Sequence, residues 1–329
     1  MAGNTATRTY TIYIARPKVG EIVNYTPDTP STGYDLSTAK SGYSSAQTID
    51  GRYDPTTWKI MEVDENGNVT KLFGVPSRSQ STVYFKGSTG YNNGVYLLND
   101  ICKSRYGNAS LGATARSLTI EDIESRMNAT GIAARNGYKA VTVQYGTTRK
   151  YTGSYTKYPA IYAQEKYSGV DVSDVADGTQ VITGSVDATA QVRMNPNGKS
   201  GSDDIYTTLP ETSETKGPSK TNLTCTQTYY NVSQSSSYFD DSNFYNMIFG
   251  TGTYFWLASR HVLCYSSLSY ACFGLSLVSS SRLSGSSLFE SDGGNFYANA
   301  RVAPVVSLGS GIQVKSGSGT ERNPYVIGK

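Results

Sequence analysis

Charge is scarce in this sequence. Asp, Glu, Lys and Arg make up only 17% of its 329 residues, and 29 basic against 26 acidic side chains leave a net charge of +3. No Lys/Arg run interleaves with aromatics to form a phosphate-binding stripe, so the electrostatic footprint of a nucleic-acid partner is missing. No stretch approaches the ~20 apolar residues that cross a bilayer. Met1 to Tyr10 lacks the apolar centre of a secretory signal, so neither membrane insertion nor export by the general route is expected. Histidine occurs once, at His261, and Cys102, Cys225, Cys264 and Cys272 show no C-x-x-C spacing. A structural zinc site is therefore not expected, and the cysteines read mainly as free thiols. A Cys264–Cys272 disulfide stays open for an oxidising compartment.

What fills the gap is Gly, Ser, Thr, Asn and Tyr, with 33 glycines and 27 tyrosines against a hydrophobic share of 37%. These residues favour turns, strand edges and hydrogen-bonded loops, and Tyr adds buried area with a polar tip. The composition predicts a loop-rich α+β protein, and the patterning along the chain adds short antiparallel strands and two short helices. The length allows one large domain or two ordinary ones.

Along the chain, Thr9–Ile14 alternates β-branched and aromatic residues and reads as a strand, free to serve in assembly. The Gly20 to Ser45 stretch reads as a surface loop pinned by Tyr25, Tyr34 and Tyr43. Thr57–Val63 and Val69–Val75 alternate around Asp64-Glu65-Asn66-Gly67-Asn68, the clearest β-hairpin signal in the sequence. Val95 to Tyr106 has helical spacing, and Thr119 is a plausible N-cap for a second helix reaching Met127. Residues 131–224 carry few aliphatics and read as an insertion, with strands near Lys139–Tyr145 and Gln180–Ser185. Tyr254–Arg260 is a continuous apolar run of the kind found in a fully buried strand. Arg301–Leu308 predicts a last buried strand, with Pro304 near an edge or bulge. The expected structural core includes Trp58, Trp256, Leu257, Val305 and Leu308.

Chemical motifs are few. Gly285 to Gly294 is glycine- and serine-rich, yet it matches neither phosphate-binding fingerprint, so nucleotide binding is not supported. His261 follows Ser259 closely, but no acidic orienter is suggested nearby. The Asp64–Asn68 segment lacks the EF-hand pattern and reads as a solvated turn. Asp203-Asp204 and Asp240-Asp241 read as loop positions. The unusual window is Ser259 to Ser291, where twelve serines accompany Tyr265, Tyr270, Phe273 and Phe289 with almost no charge. Tyr gives contact area with few rotors to freeze, and Ser gives adaptable hydrogen bonding, the composition of antibody paratopes. The same serines would equally suit plain solvent-facing positions.

The order Tyr254-Phe255-Trp256-Leu257-Ala258-Ser259-Arg260, serine/tyrosine-rich stretch, Ala303-Pro304-Val305-Val306-Ser307-Leu308 resembles the C-terminal part of C-type-lectin-fold proteins diversified by retroelements. It is also similar to a bacterial domain family of unassigned function with W-L-x-S-x and R-P-x-x-x-L signatures. Pro55–Ile60, Gly90–Asp100 and Ala115-Arg116-Ser117 look like that family's N-terminal half, extending the resemblance over about residues 20–315. It departs at Arg301-Val302-Ala303-Pro304, where the family has Arg directly before Pro.

The resemblance implies a C-type-lectin-like ligand-binding domain over 20–329, with the insertion at about 131–224 and a hypervariable region at about 261–300. Residues 1–19 become an N-terminal strand and assembly segment. It implies a ligand-binding role for His261, Leu263, Cys264, Tyr265, Leu268, Tyr270, Cys272, Ser276, Ser279, Ser281, Phe289, Asp292, Asn295, Tyr297 and Asn299, with no catalytic residue, metal or cofactor. The partner would be a protein or glycan receptor on a cell surface, met by a phage tip or a bacterial adhesin. The missing leader favours the virion, and homo-oligomerisation would add avidity. Two alternatives stay open: an oxidase resembling the formylglycine-generating enzyme, with Cys264 and Cys272 as its thiol pair, and a structural virion protein.

Overall fold

A computed structural model describes residues 16–28, 33–36, 47–139, 142–144, 157–159, 206–208, 211–212, 215–216, 224–226, 232–265, 270–290 and 296–329. Thr9–Ile14, Tyr43 and Gln180–Ser185 lie outside the described residues. In chain order the main elements are β1 (Ile22–Val23), β2 (Thr57–Val63), β3 (Val69–Val75), β4 (Val83–Lys86), α1 (Gly87–Arg105), β5 (Thr114–Ser117), α2 (Ile120–Glu124), α3 (Ala129–Lys139), β6 (Val232–Ser233), α4 (Ser242–Phe249), β7 (Tyr254–Tyr265), β8 (Tyr270–Ser279), β9 (Arg282–Glu290), β10 (Tyr297–Ala300) and β11 (Pro304–Ser307). The protein is α+β, with predominantly antiparallel strands and few, mostly short helices.

Two sheets organise it. The first runs β1-β2-β3-β11-β5 and the second β6-β9-β8-β7, while β4 pairs separately with β10. The β2–β3 hairpin forms where the alternation predicts it. Its turn is built by Asp64, whose carboxylate accepts from the Asn66 and Asn68 amides at 2.9 and 2.8 Å and from the Asn68 side chain at 2.7 Å. Gly67 takes φ +82° there. The expected last strand is shorter than Arg301–Leu308 and is not at an edge: β11 lies between β3 and β5. Pro304 is tolerated because it is the first residue of the strand.

The apolar residues divide into two cores, and the strands between them serve both. Trp256 and Ala258 enter one core with Trp58, Ile60, Leu72, Leu98, Ile101 and Val306. Phe255 and Leu257 enter the other with Met61, Phe73, Phe244, Met247, Ile248 and Val305. Successive strand residues point to opposite faces, so a strand buried on both faces must read as an unbroken apolar run. Of the expected core set, Trp58, Trp256, Leu257 and Val305 are buried, whereas Leu308 is only partly so. Tyr25 is buried and donates to the Tyr106 carbonyl at 2.7 Å. Tyr34 donates to Asp100 at 2.8 Å.

The helices correct the sequence reading most. Instead of starting at Val95, α1 begins at Gly87 and passes through Gly90 and Gly94. A Cβ at Gly94 would lie 2.3 Å from Leu275 Cδ1, and one at Gly90 would lie 3.1 Å from Phe85 Cβ. These glycines allow close approach rather than stopping the helix. The N-cap Thr119 is as expected and forms a capping box with Asp122, but α2 ends at Glu124. Two further helices, α3 and α4, replace the expected total of two. Gly131 of α3 lies so near the Tyr238 carbonyl that a Cβ would approach to 2.5 Å. Asp241 caps α4 by accepting from the Asn243 amide at 2.8 Å, a structural task for one of the acidic pairs.

In the segment expected to be inserted, Thr142–Gln144 pairs antiparallel with Thr224–Thr226, so the chain leaves and returns side by side. Lys157–Pro159 pairs with Tyr206–Thr208, and Glu211–Thr212 with Thr215–Lys216. Among the described residues no helix is long and apolar enough to cross a membrane.

Candidate functional site

The first half of β7 is fixed from every side. Phe255, Trp256, Leu257, Ala258 and Ser259 are all 0% exposed. Its free edge is closed by main chain: the Trp256 amide donates to the Arg301 carbonyl at 2.9 Å and the Ala258 amide to the Leu118 carbonyl at 2.8 Å. The Trp256 indole N–H donates to the Val83 carbonyl at 2.9 Å. Ser259, 0% exposed, accepts at Oγ from the Ile120 amide at 2.9 Å, a bond that ties β7 to the start of α2.

The Leu118–Ile120 segment is itself held by an ion pair. Arg116 donates from both Nη atoms to Asp122 at 2.6 Å. Burial alone would raise the Asp122 pKa, but the Arg116 bonds and charge, with the Thr119 amide and hydroxyl, outweigh it and hold the carboxyl below its ordinary value. Bidentate Arg–carboxylate pairs are both strong and directional, so β7 meets a rigid neighbour.

Beyond this anchor, β7 continues without interruption as one arm of a hairpin. A register shift falls between Trp256 and Arg260, after which His261 pairs with Gly274, Leu263 with Cys272, Cys264 with Ala271 and Tyr265 with Tyr270. A second shift separates Phe273 from Gly274 against β9. A Cβ at Gly274 would come within 1.8 Å of the Ser286 carbonyl oxygen, so a side chain is excluded where the sheet changes register. Bulges of this kind bend a strand and re-aim the side chains beyond them.

By register, the structure brings the backbone positions of His261, Leu263, Cys264, Tyr265 and Tyr270 together on the distal hairpin, with Phe289 beside Phe273 on β9. Leu268, Asp292 and Asn295 lie outside the described residues. Four expected contact residues fall elsewhere. Cys272 is 2% exposed and Ser276 0%, so neither side chain reaches a ligand: β8 is covered on both faces here, as Leu275 beside Ser276 is also 0% exposed. Ser279 is half-buried and Ser281 exposed at the β8–β9 turn, the opposite end of β8 from the hairpin tip.

Tyr297 and Asn299 are exposed on β10, Tyr297 by 67%. Their cross-strand partners are Lys86 and Tyr84, and the Tyr84 and Tyr297 ring centroids are 5.5 Å apart at 35°. Val83, Phe85 and Ala300 are buried on the inward face. Tyr84, Lys86, Tyr297 and Asn299 therefore share one outer face, which presents aromatic area flanked by an ammonium and an amide. The Phe296 amide donates to the Leu288 carbonyl and the Gly87 amide to the Phe296 carbonyl, both at 2.8 Å, which ties this face to the distal end of β9. Tyr84 and Lys86 were not anticipated, although the alternation Val83-Tyr84-Phe85-Lys86 carries the signal.

Cys264 and Cys272 are not cross-strand partners. Cys102 is fully buried in the first core, where burial pushes its thiol well above the ordinary value and leaves it inert. Among the described residues no cluster of three His, Cys, Asp or Glu side chains could hold a metal ion. A separate open cleft of about 340 Å³ lies between β1, β2 and α4, lined by Lys18, Glu21, Lys59, Asn243, Asn246 and Met247 among others. No family model, curated protein or solved structure matches the chain.

Proposed function

We propose that the chain is a non-enzymatic binding protein of C-type-lectin-like fold, whose distal β7–β8 hairpin and adjoining β9 and β10 carry a surface diversified by a retroelement. Its partner is a protein or glycan receptor on a cell surface, and its place is the tip of a phage virion or, second, the outside of a bacterium. One observation carries this reading: β7 is a single strand whose first half, Phe255–Ser259, is locked into two cores and whose second half continues past a bulge into the hairpin bearing the serine- and tyrosine-rich stretch.

Such an anchor keeps the cost of ordering the surface low, since each rotamer-rich side chain immobilised on binding costs about 0.5–1.5 kcal/mol. Changes at the hairpin then alter contacts without unfolding the base. Linking several copies would raise weak binding by roughly 10²–10⁴ through avidity. The outer face of Tyr84, Lys86, Tyr297 and Asn299 gives the same surface a rigid aromatic margin.

Sequencing the coding region from its native population is the test. Substitutions gathered at adenine-derived codons between His261 and Ala300, with Tyr254 to Ser259 constant, are expected. Uniform constancy across both windows would sink the proposal.

A further inference from the structure

Two arginines are aimed by main-chain carbonyls rather than by a carboxylate. Arg52, Arg105, Arg116, Arg126 and Arg135 each meet a carboxylate within 4 Å. Arg78 and Arg301 form no such pair among the described residues and donate to main-chain carbonyls instead: Arg301 Nη2 to Arg78 O at 2.9 Å, and Arg78 Nε to Gly252 O at 3.1 Å. A carbonyl bond fixes where a guanidinium points but leaves its charge uncompensated.

Both cations sit on the same short turn. Arg78 Nη2 is 3.8 Å from where a Cβ on Gly252 would be, and the Arg301 guanidinium carbon is 5.4 Å from the centroid of the Tyr254 ring. Like charges gathered on three residues repel each other. Arg301 Nε is buried and Nη2 is engaged by the Arg78 carbonyl, so Nη1 is the donor this side chain offers outward. Tyr254 is 45% exposed, so its ring offers a flat apolar floor beside the charges.

We propose that this corner binds an oxyanion carried by a small ligand: a carboxylate, sulfate or phosphate group bridged by Arg78 and Arg301 over Tyr254. Both Nη groups of Arg78 and the Nη1 group of Arg301 make no bond to the described residues, and the planar fork of arginine matches either a carboxylate or a tetrahedral anion. The site does not depend on the hypervariable reading. It lies at the start of β7, and a strand of twelve residues places the hairpin tip roughly 36 Å away at 3.3 Å per residue. A constant anion contact can thus operate while the tip changes.

The experiment is a titration of the full chain with sodium sulfate, sodium phosphate and sodium acetate, each against potassium chloride at matched ionic strength, read by the Nε–Hε NMR signals of Arg78 and Arg301. Saturable shifts of both signals with at least one oxyanion, absent with chloride, are expected. Saturation by acetate alone identifies a carboxylate ligand, and saturation by sulfate or phosphate a tetrahedral one. Arg78→Gln alters an exposed side chain and is expected to weaken binding at least tenfold. Arg301→Lys keeps the charge but loses the guanidinium bond to the Arg78 carbonyl that aims it, and is expected to do the same. Shifts reproduced by chloride, or both variants binding as tightly as the parent, would overturn the proposal.

Discussion

A methyl group at position 94 would sit 2.3 Å from Leu275 Cδ1 and 3.0 Å from Cδ2, inside a side chain that is itself 0% exposed. Helix propensity favours Ala over Gly by about 1 kcal/mol, whereas overpacking a core costs about 1–3 kcal/mol. The clash wins: Gly94→Ala is expected to destabilise the protein in urea unfolding, and Leu275→Ala in the same chain to recover part of the loss, giving a coupling of opposite sign to the single effects. Additive single effects would show that the helix shifts to absorb the methyl. Trp256→Phe tests a polar contact instead. It removes the indole donor from the Val83 carbonyl, whose residue also pairs with Ala300 in the strand ladder, and the net loss of such a bond is about 0.5–1.5 kcal/mol. A change below about 0.5 kcal/mol at the denaturation midpoint would mean that water replaces the indole. Trp256 was legible in sequence as core; its bond to a carbonyl 173 positions away was not.

At the scale of the element, the segment that closes the edge of β7 carries a pH dependence. The Asp122 carboxyl is held below its ordinary value in the folded protein. Its contribution to stability is therefore complete above the unfolded value near 4 and is lost as pH falls through the folded value. Asp122→Asn is expected to cost about 1.5–3 kcal/mol at pH 7, the worth of hydrogen bonds to a charged group, and to approach the parent's stability as both are titrated toward pH 3. Parallel stability curves for the two proteins would show that Arg116 is equally well held without the charge. The elements themselves were legible in proportion to how local their causes are. The β2–β3 hairpin and the Thr119 cap depend on neighbours in sequence, and both were found. The start of α1, together with α3, was missed because glycine reads as a breaker until a facing strand or carbonyl shows why no side chain fits there.

Across the whole molecule, β2, β3, β7 and β11 each supply residues to both cores. Neither core can open without removing the wall of the other, so α1, packed in the first, and α4, packed in the second, are expected to open together. Native-state hydrogen exchange checks this: the most protected amides of the two helices should report the same opening free energy. A gap of more than about 2 kcal/mol between them would mean that the cores unfold separately. At the same scale, the proposed binding surface predicts that replacing His261, Leu263, Cys264 and Tyr265 together by Ser shifts the thermal midpoint little while abolishing binding to the proposed cell-surface receptor. A collapse of the fold would place those side chains in the core instead.

Sequence alone determined the α+β class, the hairpin with its Asp64 turn, the burial expected of Tyr254–Arg260 for Phe255 to Ser259 but not for Tyr254, which is 45% exposed, and the serine- and tyrosine-rich composition of the stretch after Ser259, because composition, alternation and turn chemistry act over a few residues. The tertiary structure decided which side of the sheet each residue takes. It buried Cys272 and Ser276 and separated Ser279 and Ser281 from the hairpin tip. It set Tyr84 and Lys86 beside Tyr297 and Asn299, and brought Arg78 and Arg301 together on one turn. Side-chain parity in a strand reverses with a register shift of one residue, and the register of β7, β8 and β9 is set by bulges and by the close contact at Gly274, features that exist only once the strands meet.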